Sequence, residues 1–209
     1  MEVNANIVRE LREKTGAGVM DCKKALAESK GDLEKATVWL REKGIASAAK
    51  RSGRVASEGS VGSYIHAGGK LGVLVEVNCE TDFFAKGPDF QTLVKDIAMQ
   101  IAATNPRAIR REEIPAAVLE QEKQIYASQA EGSGKPAQVI AKIVEGKLDK
   151  FYKEACLMEQ SWVKDPNKTI TDLIGEYTGK SGEKIDIRRF VRFQLGEGIA
   201  AKSDDGAAA

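Results

Sequence analysis

Few side chains in this sequence have the types and spacings that chemistry requires. Gly175-Glu176-Tyr177-Thr178-Gly179-Lys180-Ser181 looks like a phosphate-binding loop, but three residues separate its glycines where four are needed. A helical pattern, rather than a strand, also precedes it. A Ser-His-Asp or Cys-His site would have to use the single histidine, His66, which follows a strand pattern at a glycine-rich turn with no nucleophile in a recognisable setting. Cys22, Cys79 and Cys156 are odd in number and widely spaced, so neither a disulfide framework nor paired metal ligands is indicated, and buried free thiols are expected. Asn167-Lys168-Thr169 fits the glycosylation pattern, yet nothing else in the sequence points to secretion. Covalent chemistry, a metal and a cofactor of its own are therefore not expected. What remains is Thr81-Asp82-Phe83-Phe84-Ala85, where two phenylalanines sit beside a carboxylate in a segment too short and too polar to be core. An exposed aromatic ring next to an acid is equipped to enter another protein.

Bulk properties narrow the partner. The chain has 209 residues, 42% hydrophobic and 30% charged, enough for one moderate core and a small satellite domain. Its 32 basic and 31 acidic residues give a net charge of +1, without the basic excess that drives counterion-release binding to nucleic acid. The sequence begins without the charged and then apolar blocks of a signal peptide, and no apolar run approaches the ~18 residues of a membrane span. A cytoplasmic protein of bacterial type with no membrane partner is the expectation, a processed organellar form being the alternative.

Periodicity supplies the elements that must position these residues. Val3, Ile7, Val8 and Leu11 share one helical face, Val19, Cys22 and Leu26 a second, and Leu33, Ala36 and Leu40 a third. Glycines at 16 and 18 end the first helix, Gly31-Asp32 separates the second from the third, and Gly44 is expected to close the third. Residues 1–44 thus form a compact three-helix, UBA-like bundle. Residues 45–58 read as a partly helical tether whose Lys50, Arg51 and Arg54 are either solvated or contact RNA or an acidic partner surface. In residues 59–199, Val61, Ser63 and Ile65 alternate before Ala67-Gly68-Gly69-Lys70, and Leu71, Val73, Val75, Val77 and Cys79 alternate after it, giving a hairpin. Pro88 opens a helix carrying Phe90, Leu93, Val94, Ile97 and Ile101 that should cover the sheet. Further helices follow Pro115 and Pro136, the latter with a stripe from Val139 to Ala155, and a short one spans residues 170–177. In the last strand Ile185, Ile187, Val191, Phe193 and Leu195 are expected to share one face. The fold class is α+β, an antiparallel sheet packed by helices after the N-terminal bundle. Residues 200–209 are small and polar and are expected to form a disordered tail.

Several segments in order resemble one family. Leu11-Arg12-Glu13-Lys14-Thr15-Gly16-Ala17-Gly18-Val19-Met20-Asp21-Cys22-Lys23-Lys24-Ala25-Leu26 looks like the N-terminal signature of translation elongation factor Ts, and Glu76-Val77-Asn78-Cys79-Glu80-Thr81-Asp82-Phe83 resembles its second signature. The likeness continues through Ser133-Gly134-Lys135-Pro136, Ile143-Val144-Glu145-Gly146 and Leu195-Gly196-Glu197-Gly198-Ile199. It implies guanine-nucleotide exchange on elongation factor Tu, the GTPase that carries aminoacyl-tRNA to the ribosome. By this resemblance Thr81, Asp82 and Phe83 form the motif whose acid and ring intrude near the GTPase's magnesium and phosphate site. Phe84, where the family often has valine, falls to the core. Arg12, Val19 and Met20 lie where the family's N-terminal domain grips the GTPase, with ordinary helix surface and packing as the alternative.

His66 belongs to Ser63-Tyr64-Ile65-His66 and the following Gly69-Lys70-Leu71-Gly72-Val73-Leu74-Val75, which resembles a stretch that long family members carry in a second core repeat. Both signatures fall in one repeat here, so the resemblance is to a short type, and a homodimer that rebuilds the two-repeat core is expected, with Phe83 and His66 reaching one GTPase from different subunits. A strand-end histidine without a partner is the alternative. An RNA- or ribosome-binding module built on the tether and the bundle is the competing function, which near-zero net charge disfavours.

Overall fold

The computed structural model describes residues 4–131 and 136–199. The expected tail at residues 200–209, Val3 of the first helical face and Ser133 to Lys135 of the family-like segments lie outside the described residues. Helices α1 (Ala5–Thr15), α2 (Val19–Glu28) and α3 (Leu33–Arg51) form the N-terminal bundle. Asn4 caps α1 through the Asn6 amide, Gly16 ends it at φ 65°, and Asp32 caps α3 by accepting from the Glu34 and Lys35 amides. Between these caps Val8, Leu11, Cys22, Ala25, Leu26 and Ala36 close a small core.

A hairpin follows, β1 (Glu58–Ile65) and β2 (Leu71–Cys79), then the single turn α4 (Asp82–Ala85) and α5 (Pro88–Thr104). An antiparallel helical pair, α6 (Ala116–Glu131) and α7 (Ala137–Ala155), leads to a short hairpin, β3 (Ser161–Trp162) and β4 (Asp165–Thr169). Helix α8 (Ile170–Ser181) and strand β5 (Asp186–Gln194) complete the chain, and β5 pairs with β2 to give the antiparallel order β1-β2-β5. The fold is α+β. Val73, Val75, Val77 and Cys79 form the buried face of β2 and pack on Phe90, Leu93, Val94, Ile97 and Ile101 of α5, as the alternating and helical periodicities predict. The α7 stripe behaves differently: among it only Phe151 and Ala155 are fully buried, because α7 packs on α6 rather than on the sheet.

Two expectations need correction. Gly44 does not close α3, which continues to Arg51. Gly44 is buried where α3 crosses α8, and a methyl group on it would lie 2.8 Å from the carbonyl oxygen of Gly175; one on Gly175 would lie 3.1 Å from the Ile45 nitrogen. The glycine serves close approach of two backbones rather than chain reversal. The second correction concerns β5. Val77 faces Ile187, but the adjoining Glu76 faces Arg189, so Arg188 is an extra residue and the register shifts. That bulge switches the alternation: Ile185 and Ile187 are buried, whereas Val191, Phe193 and Leu195 are exposed, so the five do not share one face.

Charged contacts reinforce the α3–α8 crossing. The Arg41 guanidinium pairs with the Asp172 carboxylate and donates to the Asn167 carbonyl at 3.1 Å. Asp172 also accepts from the Thr169 amide at 2.8 Å, completing a capping box with the Thr169 hydroxyl. Burial alone would push the Asp172 carboxyl up, but the bonds from Arg41 and Thr169 outweigh it and hold it below the usual carboxylate range. Its stabilisation is present above the unfolded carboxylate pKa and is lost as pH falls through the lower folded value. Because the Gly44 contact is backbone against backbone, Gly44→Ala should destabilise the protein by about 1–2 kcal/mol, the ~1 kcal/mol gain in helix propensity being outweighed by overpacking. A fall in thermal midpoint of about 2–8 °C is expected; an unchanged or higher midpoint would contradict the close approach.

Candidate protein-docking site

The site is built from the end of β2. Strand pairing with β1 stops at Cys79, whose partner is Glu58, and Thr81 then turns the chain by accepting from the Phe84 amide at 3.2 Å. A single helical turn advances about 100° per residue, so burying one side of α4 exposes the other. Ala85 is buried, and Phe84 packs edge-on against Phe90 with ring centroids 5.3 Å apart. Phe83 therefore points outward and is 91% exposed. This separates the two phenylalanines in the sense the sequence implied, Phe84 joining the core. Asp82, beside the ring, is exposed and forms a 2.5 Å ion pair with Lys86 one turn later, which raises the Lys86 pKa.

Residues far along the chain hold this turn. The Glu183 carboxylate accepts from the amides of Glu80 and Thr81 at 3.1 and 3.0 Å and from the Thr81 hydroxyl at 2.5 Å. The Glu80 carboxylate accepts from the Lys184 amide at 2.6 Å and from Arg54 at 3.2 Å, and these donors hold its pKa below the ordinary value. Beneath, the Cys79 thiol is pushed up to about 11 by burial, with the nearby Glu183 charge adding to it.

The other sequence-derived residues lie elsewhere. Arg12 is exposed at the last turn of α1, and Val19 and Met20 open α2, Met20 being 74% exposed. All three lie on helices of the N-terminal bundle rather than on the Phe83 turn. His66 follows β1, is exposed, and shares a 3.0 Å hydrogen bond with the Tyr64 hydroxyl through Nδ1. It marks the hairpin end opposite Phe83, because Ile65 faces Gly72 while Glu58 faces Cys79. The nine residues of β2 put those ends roughly 27 Å apart at about 3.4 Å per residue, so one chain does not bring His66 and Phe83 together.

Two basic residues of the supposed tether are engaged internally, Arg51 with Ser47 and Arg54 with Glu80. The loop-like Gly175 to Ser181 stretch lies within α8, where Gly175 and Thr178 are buried, so it presents no open amide cradle. Sequence reasoning missed Glu183 and Lys184, since their partners lie about a hundred residues away, at separations of 102 and 104. The one local signal was Gly182, whose positive φ of 74° ends α8 and turns residue 183 toward the sheet.

An aromatic side chain is thus presented on a braced turn, and a second exposed apolar pair, Val19 and Met20, lies on the N-terminal bundle. Among the described residues no cluster of His, Cys, Asp and Glu could hold a metal ion, and no helix is long and apolar enough to cross a membrane. The family model for elongation factor TS matches residues 4–197. Elongation factor Ts of Desulforamulus reducens is 59% identical over 207 residues, covering 99% of this chain and 95% of that relative. That of Geobacter sulfurreducens is 59% identical over 208 residues, covering 100% and 96%, and that of Thermoanaerobacter pseudethanolicus 59% over 203 residues, covering 97% and 100%. The chain belongs to the elongation factor Ts family, a family of translation elongation factors.

The cysteines give a direct test of how the turn is seated. All three are free and buried, with their thiols raised by burial, Cys79 and Cys156 to about 11. At pH 8 the native protein should release almost no chromophore from an aromatic disulfide reagent, and the unfolded protein in urea should titrate three thiols quickly. A rapid native burst that Cys79→Ser abolishes would show that the base of the turn is open.

Proposed function

We propose that this chain is a guanine-nucleotide exchange factor that docks on elongation factor Tu in the bacterial cytoplasm, acting by contact and without covalent chemistry of its own. The observation that carries the reading is Phe83, a large apolar side chain held 91% exposed by a turn whose other residues are buried or hydrogen-bonded. Such a ring gains nothing in the free protein and about 1.5–3 kcal/mol once buried in a partner. Asp82 is suited to the neighbouring role. Its ion pair with Lys86 joins two exposed side chains and contributes at most ~1 kcal/mol. The carboxylate can therefore leave Lys86 at little cost and act on the oxygen-ligated magnesium of the partner's nucleotide site.

Phe83 cannot do all the work. A thousandfold loosening of nucleotide needs about 4 kcal/mol of differential binding. In this reading the remainder comes from lost magnesium and phosphate contacts in the GTPase, with Arg12, Val19 and Met20 as a separate grip. Coupling is reciprocal: a factor that weakens GDP binding is itself weakened by GDP, so incoming nucleotide ejects it.

His66 enters through a second copy. Val61, Ile65, Leu74, Val191 and Phe193 lie on the outer face of the sheet and are exposed. A two-fold axis through that face would set one chain's His66 end beside the other's Phe83 end, with the strands aligned as in a β-sandwich. Sedimentation should give a dimer for the wild type and a monomer for Phe193→Glu, with similar thermal midpoints. A wild-type monomer at working concentration with full exchange activity would remove the pairing while leaving the exchange reading intact.

The exchange reading is tested by stopped-flow release of fluorescent GDP from elongation factor Tu. Release should be fast with the wild-type factor and roughly tenfold to a hundredfold slower with Phe83→Ala, whose fold should be unchanged. Equal rates for the two proteins would refute the role of Phe83.

A further inference from the structure

We infer that Glu183 is a positioning residue for Phe83, fixing the hydroxyl rotor and the two backbone amides that set the direction of the ring; the inference rests on the exchange reading. Phe83 is too exposed for packing to orient it, so its direction depends on the backbone of α4 and on whatever holds the start of that turn. Beyond Cys79 the β1–β2 ladder has ended, and the amides of Glu80 and Thr81 find no strand partner. Glu183 supplies one for each through Oε2, at 3.1 and 3.0 Å.

Its other oxygen acts on the cap itself. The Thr81 hydroxyl has one proton and two lone pairs. It donates that proton to Glu183 Oε1 at 2.5 Å, which leaves lone-pair density free to accept the Phe84 amide at 3.2 Å. A single carboxylate thus organises both the entry to α4 and its N-cap. Among the described residues Glu183 forms no ion pair, so its charge is directed at this turn. The neighbouring residue extends the brace: Lys184 donates its amide to Glu80 and its ammonium to the Ser52 and Arg54 carbonyls, just beyond α3, at 2.7 and 2.9 Å. The acceptors that hold Glu80 and Thr81 at the entry to the turn thus come from outside the motif Thr81-Asp82-Phe83.

The test is a double-mutant cycle on nucleotide release. Glu183→Ala should slow GDP release about tenfold, the scale of one or two charge-assisted hydrogen bonds. Glu183→Asp keeps the charge but is one methylene too short, and should be equally slow; it also serves as the test variant should the alanine protein fail to fold. Glu183→Gln keeps the length and an oxygen for the two amides, and should recover most of the rate. In a Phe83→Ala background Glu183→Ala should have no further effect, because orienting a missing ring has no value. A purely structural role would slow both backgrounds alike. Wild-type rates for both Glu183→Ala and Glu183→Asp, or a further tenfold loss when Glu183→Ala is added to Phe83→Ala, would overturn the positioning role while a slow Phe83→Ala protein keeps the exchange reading. A fast Phe83→Ala protein marks failure of the exchange reading itself.

Discussion

The backbone contact between Gly44 and Gly175 is the constraint on which the arrangement of this protein depends. Without side chains at those positions α3 and α8 approach until a carbonyl of one lies against the α-carbon of the other. That distance brings Arg41 within reach of Asp172 and of the Asn167 carbonyl. The bundle carried by α3 is therefore fixed to the core by a crossing rather than hung from a tether. From the end of α8 the effect passes on through Gly182 to Glu183 and Lys184, which hold the Phe83 turn and the residues after α3. One close crossing thus connects the two surfaces that carry exposed apolar side chains.

Much of this architecture was legible because it is local. The β1–β2 hairpin rests on alternation around a glycine-rich turn, and α5 on Pro88 followed by apolar residues at helical spacing, signals that need no distant partner. The misreadings have the opposite character. A glycine that ends a helix and one that admits a neighbouring backbone look alike in sequence, and only Gly175, far along the chain, decides which Gly44 is. The β5 bulge is invisible for the same reason, since alternation of Ile185, Ile187, Val191 and Phe193 is intact in sequence and broken only by pairing with Glu76. Its consequence is large: two exposed arginines, Arg188 and Arg189, both reach Glu76, and a run of outer-face side chains becomes apolar and exposed.

The site divides along the same line. That Phe83 and Phe84 face different ways follows from one turn of helix, and the separation of Phe84 into the core needed only its contact with Phe90. The basic residues were left open in sequence because a cation carries no record of its partner; Arg54 serves Glu80, which in turn braces the β2 end. Glu183 shows the limit most clearly, since an isolated acid after a helix has no pattern to mark it, and its importance lies entirely in three donors from a distant turn.

A rigid support matters more for an exposed ring than for a buried one. Ordering an interface side chain and its loop on binding costs about 0.5–1.5 kcal/mol for each flexible group, which can consume much of what one phenylalanine gains by burial. Here the Phe83 backbone is ordered before any partner arrives, by Thr81, Glu183 and the packing of Phe84 and Ala85. Asp82 is treated differently, held only by an exposed pair with Lys86. The turn thus combines an exposed ring on a fixed backbone with an acid held only by a surface pair, its hydrogen bonds converging on Thr81 and leaving Asp82 at the surface.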